Sequence, residues 1–270
     1  MPKIIFAISS QVIAGEVGLN AIRPALQALA YEIFACPTVL MASHPGAYPQ
    51  ADPPAKHSIN GQEMRQLAQW LDDAGTACSA IISGYMPSLD HVIATADIVQ
   101  AMRRKNPNLV YLCDPVCGDR GKLYIERETA EAIRDILLPL ADIATPNLFE
   151  LNWLSGQRST TDDQIKNAAR LLPTPHIVVT SSPANKGYIA TLRLSDQGVS
   201  RCQTKLEPLH IHGMGDTFAA LYLGLHLNGE ENALGIATAT MAKLATKATP
   251  QGRLPSAPII LAASAEETFI

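Results

Sequence analysis

Short apolar runs alternate with longer stretches of helical periodicity along this chain. Residues 3–8 (KIIFAI), 79–83 (SAIIS), 109–113 (LVYLC) and 176–180 (HIVVT) are apolar on both faces, the pattern of buried strands in a parallel sheet. The periodicity between and after them predicts helices at about 18–30, 61–74, 90–105, 126–138 and 161–172, and two more at about 215–228 and 231–247. Asn60 stands three residues before Glu63 as a capping box, and Asp90 precedes the apolar spacing of Val92, Ile93 and Ala96. Residues 187–206 differ: two strand-like runs flank Asp196, Gln197 and Gly198, which predicts an antiparallel edge hairpin. The alternation as a whole predicts an α/β fold, a mostly parallel central sheet with helices on both faces, in one domain over residues 1–270.

One segment has no apolar period. "SHPGAYPQADPPAKHS", residues 43–58, is rich in proline and reads as a lid or binding loop.

Composition narrows the class. Of 270 residues, 47% are hydrophobic and 17% charged, which excludes general disorder, and the net charge of −4 gives no sign of a nucleic-acid or membrane partner. The opening "MPKIIFAISSQV" reads as a first strand rather than a signal peptide, and no apolar stretch approaches the roughly 20 residues of a membrane span. Five scattered cysteines fit reduced thiols, so the expected location is the cytoplasm. Cys113 and Cys117 lack a second Cys/His pair at finger-like spacing, and buried thiols are the simpler reading.

The candidate chemistry centres on "HGMGDTFAALYLGLHL", where a glycine turn leads into an apolar helix. Gly213, Met214 and Gly215 would aim backbone N–H groups into one space at a helix N-terminus, and Asp216 places a carboxylate beside them. Asp216 could simply complement the helix dipole. Alternatively it takes a proton from a substrate hydroxyl while the amides hold charge developing on a phosphoryl group. A third glycine is missing where a dinucleotide fingerprint needs one, since Phe218 stands there, and no GxxxxGK[ST] occurs. Two further segments, "CDPVCGDRG" and "TPNLFE", follow strand-like runs, and Asp114, Asn147 and Glu150 offer oxygen ligands or water contacts suited to Mg²⁺ with phosphate. Singly these residues could be a turn, a helix cap and a first-turn acid. His210 and His212 could share a strand face and read as packing or a nucleotide contact; Lys243 and Lys247 read as a solvated edge, and Trp70 and Trp153 as core or interface anchors.

Taken in order, DPVxGD, TPNxxE, V-T-S and GxGDxFxAL resemble the ribokinase superfamily. "ISSQVIAGEVG" and "SGYMPS" narrow the resemblance to the pyridoxal kinases, nearly end to end. The resemblance implies a ribokinase-like three-layer αβα sandwich and ATP-dependent phosphorylation of the 5′-hydroxymethyl group of pyridoxal, extending to pyridoxine and pyridoxamine, in B6 salvage. It implies Ser10 and Tyr85 at the pyridine ring, His44 and Pro45 in a lid over it, Asp216 as base and Gly213 to Gly215 as anion hole. Asp114 and Glu150 with Asn147 would organise Mg²⁺ and ATP, Asp119 matches the second acid of DPVxGD, and Thr145, Thr180 and Ser181 align with nucleotide-side positions. It further implies a homodimer and leaves a K⁺ requirement open. Three positions depart from the pattern: Gln11 replaces a histidine, Pro45 a threonine, and Met214 a small residue. The alternatives are a hydroxymethylpyrimidine kinase, in which cysteine often replaces the acid at 216, and a non-catalytic B6-binding protein.

Overall fold

A computed structural model describes residues 3–47, 55–209, 211–249 and 252–254. The elements in chain order are β1 (Ile4–Ala14), α1 (Leu19–Gln27), β2 (Glu32–Ser43), β3 (Lys56–Ser58), α2 (Gly61–Asp73), β4 (Cys78–Ser83) and α3 (Leu89–Lys105). There follow β5 (Val110–Cys113), the small hairpin β6 (Gly118–Asp119) and β7 (Lys122–Leu123), α4 (Arg127–Ala132), β8 (Ile143–Ala144), α5 (Leu148–Ser155) and α6 (Asp162–Ala169). The chain continues through β9 (His176–Pro183), β10 (Tyr188–Ser195), β11 (Gly198–Lys205), α7 (Met214–Leu227) and α8 (Ala233–Thr246).

The main sheet runs β11-β10-β9-β8-β5-β4-β1-β2-β3. Pairs from β2 through β9 are parallel, and the edges are antiparallel: the expected hairpin β10–β11 on one side and β3 on the other. Alternate side chains enter two separate apolar layers, which explains why the strand runs show no polar face. Phe6 and Ile8 of β1, Ile81 of β4 and Tyr111 of β5 pack with α2, α3 and α6. Ile5, Ala7, Ile82 and Leu112 pack with α1, α7 and α8 on the other face. Each fully buried isoleucine or leucine contributes about 1.5–3 kcal/mol of transfer free energy. The apolar run of α7 has the same origin: from Thr217 to Leu225 the helix is buried all round, and Gly224 lets Leu29 approach so closely that a Cβ would lie 2.6 Å from its Cδ1.

Several expectations need correction. The long strand β2 has no legible strand pattern because Pro37 interrupts it. Proline cannot donate to a ladder, and the register between β1 and β2 shifts there, from Ser9↔Pro37 to Gln11↔Leu40, so the residue sits at a bulge. β1 extends beyond residue 8 to Ala14, paired there with β2 alone. The helix expected at 126–138 is α-helical only to Ala132; a π turn (Ile133–Leu137) and a 3₁₀ turn (Leu138–Leu140) follow as the chain reaches Pro139. The loop expected at 43–58 begins with the last residue of β2 and ends in β3, while its residues 48–54 lie outside the described residues. Trp70 is 68% exposed and therefore no core anchor. Trp153 is partly buried, with the Arg127 guanidinium 5.8 Å from its ring centre. His212 lies in a turn rather than a strand, and His210 falls outside the described residues. Lys243 is in α8, whereas Lys247 is its C-cap.

Candidate active site

In chain order the sheet grows from β1 to β2 on one side, then from β4 onward on the other. The crevice at the carboxyl ends of β1 and β4 is thus a topological switch point, where open α/β sheets bind ligands. Gly84 N–H, just past β4, donates to the Ile8 carbonyl at 2.9 Å, and Asp114 N–H, just past β5, donates to the Ser83 carbonyl at 2.8 Å. Thr145 N–H past β8 donates to Cys113, and Thr180 in β9 pairs with Asn147. The strand ends therefore bring Ser10, Tyr85, Asp114, Thr145, Asn147 and Thr180 to one edge of the sheet.

Asp216 closes this edge from α7. Gly213 is the N-cap in the left-handed region (φ 79°), with no side-chain cap over the first amides of the helix. A Cβ on Gly213 would lie 1.8 Å from the Glu16 carbonyl oxygen, so only glycine fits. A Cβ on Gly215 would meet nothing within 4 Å, which leaves open space over the helix start. The Asp216 carboxylate reaches beyond its own helix. Its Oδ2 accepts the Gly18 N–H at 2.9 Å. Gly18 itself has φ 56°, and a Cβ there would lie 2.2 Å from the Ser10 carbonyl oxygen. Burial pushes the Asp216 carboxyl up to about 6, and hydrogen bonds from the Gly18 N–H and from its own backbone N–H keep it from going further.

Asp114 and Glu150 are both buried, at 6% and 3% exposure. Thr145 Oγ1 donates to Asp114 Oδ1 at 2.9 Å. Burial and then the charge of Asp216 raise the Asp114 carboxyl to about 8; burial and then Asp114 raise Glu150 well above the usual carboxylate range. The three acids thus form a string in which none of the causes is a cationic side chain, the electrostatic setting that a divalent cation with phosphate would relieve. Glu150 also works structurally. Its Oε2 accepts the Asn147 N–H at 2.8 Å while Asn147 Oδ1 accepts the Glu150 N–H at 2.9 Å, a capping box at the start of α5. Its Oε1 accepts from Cys117 and Gly118, and Asn147 Nδ2 donates to Gly118 O, which docks the β6–β7 hairpin on α5. Among the described residues no three His, Cys, Asp or Glu side chains converge to hold a metal by themselves. The hard oxygen set fits Mg²⁺, which keeps several waters and takes phosphate oxygens alongside one or two carboxylates.

The remaining expected residues take varied positions. Asp119 sits on the β6–β7 hairpin with Oδ1 on the Arg120 N–H at 2.7 Å, apart from the acid string. Ser181 is exposed with φ 56°, an uncommon conformation for a non-glycine residue. Met214 is half-buried and packs against the layer formed by α1, α7 and α8, which accounts for a large side chain between the two glycines. Tyr85 is pinned by its backbone: its N–H donates to Ser9 Oγ at 3.2 Å, and its carbonyl accepts from Thr38 Oγ1 at 3.0 Å. Pro45 opens a turn in which the Ala47 N–H donates to the His44 carbonyl at 2.9 Å. Ser9, Thr38, Gly18 and Gly84 were not singled out from the sequence for these roles. Gly18, a glycine just before a helix, offers a signal in the sequence, and Gly84 lies in the S-G-Y segment; Ser9 and Thr38 offer none.

The sequence profile of the phosphomethylpyrimidine kinase family matches residues 27–249. Pyridoxal kinase PdxY of Rubrobacter xylanophilus is 32% identical over 263 residues, covering 92% of this chain and 88% of that protein. Pyridoxal kinase PdxY of Deinococcus radiodurans is 32% identical over 258 residues, covering 89% and 85%. Pyridoxal kinase from Leishmania donovani, solved in complex with ADP and pyridoxine, has a TM-score of 0.88 at 26% identity and covers 99% of this chain and 97% of that one. With its ribokinase-like αβα sandwich and matches of this extent, the chain belongs to the pyridoxal kinases of the phosphomethylpyrimidine kinase family.

Proposed function

We propose that this protein is an ATP-dependent kinase of the 5′-hydroxymethyl group of pyridoxal, with pyridoxine and pyridoxamine as further substrates, yielding pyridoxal 5′-phosphate. The observation that carries the reading is Asp216, held by the Gly18 N–H at the switch point beside an uncapped helix start with open space over Gly215. With its pKa near 6 the carboxylate is ionised at neutral pH and can accept the hydroxymethyl proton. The amides of the Gly213 to Gly215 turn would hold charge on the transferring phosphoryl group. Ser10, Tyr85, His44 and Pro45 form the ring side of the site, and Asp114, Asp119, Thr145, Asn147, Glu150, Thr180 and Ser181 the nucleotide side.

Asp114, and Glu150 through water, would hold Mg²⁺, which when bound neutralises phosphate charge. The burial of both carboxylates without a cationic neighbour among the causes of their shifts supports this. The reading includes a homodimer in the cytoplasm. Ile13, 76% exposed, and Leu40, 40% exposed, lie on one face of the β1–β2 overhang, an apolar pair that a second copy would cover. No described helix is long and apolar enough to cross a membrane.

ADP release from Mg-ATP, measured separately with pyridoxal, pyridoxine, pyridoxamine and hydroxymethylpyrimidine, tests the assignment. Turnover of a B6 vitamer that collapses in Asp216→Asn supports substrate and base together. Turnover of the pyrimidine alone moves the protein to thiamin chemistry, and tight pyridoxal binding with no ADP from any substrate makes it a binding protein.

A further inference from the structure

Two imidazoles meet between the ring side and the phosphate side of the site. The His44 and His212 ring centres are 4.4 Å apart with planes inclined by 36°. His44 follows β2 in the turn that Pro45 opens; His212 directly precedes Gly213, the cap of the helix that carries Asp216. The His44 ring and the His212 backbone are each held by a hydrogen bond. The Gly46 N–H donates to His44 Nδ1 at 3.0 Å, so a neutral His44 carries its proton on Nε2. The His212 N–H donates to the Gly252 carbonyl at 3.0 Å. Gly46 is wedged against the pair: a Cβ there would lie 3.1 Å from His44 Cε1 and 3.3 Å from His212 Cε1.

We infer that His212 is a positioning residue: it holds the His44 turn against the glycine turn of α7, so that one ring contact seats the B6-facing loop on the phosphoryl-transfer site. The inference rests on the kinase reading for its substrate. It gives Pro45 a role without a hydroxyl, since proline at the second position of the turn fixes φ and aims His44 at its partner. The contact joins two loops far apart in sequence. Its loss should therefore weaken vitamer binding without altering the base or the nucleotide side.

The test uses His212→Ala, His212→Phe and Gly46→Ala in the full chain. Hydrogen exchange of the Gly46 and Ala47 amides, read without any substrate, should quicken about fivefold or more in His212→Ala and in Gly46→Ala and return toward wild type in His212→Phe, which keeps a flat ring. The KM for pyridoxal should rise about tenfold in the same two variants, with kcat and the KM for ATP within about twofold of wild type. Unchanged exchange in His212→Ala overturns the inference, as does a KM for ATP that rises in step with that for pyridoxal. Failure of the underlying reading shows separately: the unsubstituted protein would then turn over no B6 vitamer, which removes the substrate role of His212 together with the kinase assignment.

Discussion

The Gly18 N–H donates to Oδ2 of Asp216 at 2.9 Å, joining the loop after the first strand to the start of α7. This contact orients the carboxylate, and it exists only because Gly18 has no side chain. Its φ of 56° is unfavourable for other residues by about 1–2 kcal/mol. A Cβ would also collide with the Ser10 carbonyl oxygen at 2.2 Å. Gly18→Ala is expected to lower the unfolding midpoint in urea and to cut kcat by at least about tenfold through misplacement of the base. A variant with normal kcat would show that this hydrogen bond does not position Asp216.

On the proposed reading, removing the Asp216 carboxylate should act on the chemical step. Asp216→Asn is expected to lower kcat by about a hundredfold to ten-thousandfold while leaving ATP binding near wild type. On the same reading, the Asp216 carboxylate must be ionised in the unsubstituted enzyme. The value of kcat/KM should therefore rise with pH through about 6 and level off above it. Steady-state kinetics across pH 5 to 8, in a buffer series of constant ionic strength, reads both.

A second titration lies at the opposite end of the sheet, clear of the active site. Burial, and then the neighbouring His226 and Arg193, lower the His176 pKa from 6.5 to about 4, and its Nε2 lies 2.7 Å from the Tyr222 hydroxyl. The unfolded chain takes up this proton near 6.5 and the folded chain only near 4. Between those values the unfolded state binds more protons, so stability is full above pH 6.5 and falls as pH drops toward 4. The loss attributable to His176 is about 2 kcal/mol at pH 4.5. Urea unfolding at pH 7 and 4.5 should show a smaller pH effect in His176→Gln than in the wild type; an equal effect would assign the loss to other groups.

The β6–β7 hairpin holds a stabilising substitution. Its two-residue loop, Arg120 and Gly121, has φ of 49° and 81°, the type I′ geometry that favours Asn-Gly over Arg-Gly. Arg120→Asn relieves a non-glycine, non-asparagine residue of a positive φ and is expected to add about 0.5–1 kcal/mol, or about 1–4 °C in Tm. Differential scanning calorimetry checks it, and a lowered Tm would mean that the Arg120 side chain contributes more than its backbone costs.

The features legible in the chain's letters alone are local or repetitive. Buried strands on two-sided layers must be apolar throughout, and Ile5 to Ile8 and Ala80 to Ile82 announced themselves that way. The glycine turn into an apolar helix, the Asn147–Glu150 capping box and the hairpin at Gly198 depend on neighbours a few residues apart, so their signals are written in adjacent letters. The tertiary structure decided what depends on distant chain. Pro37 masked β2 because its fit at a bulge requires β1 beside it, and Ser9 and Thr38 have a role only where the Tyr85 backbone runs between them. The electrostatics belong to the same class. Asp216, Asp114 and Glu150 are ordinary acids in the sequence, and their raised pKa values arise when the sheet topology buries all three at one edge: desolvation acts on each, and a neighbouring acid's charge adds to it at Asp114 and Glu150.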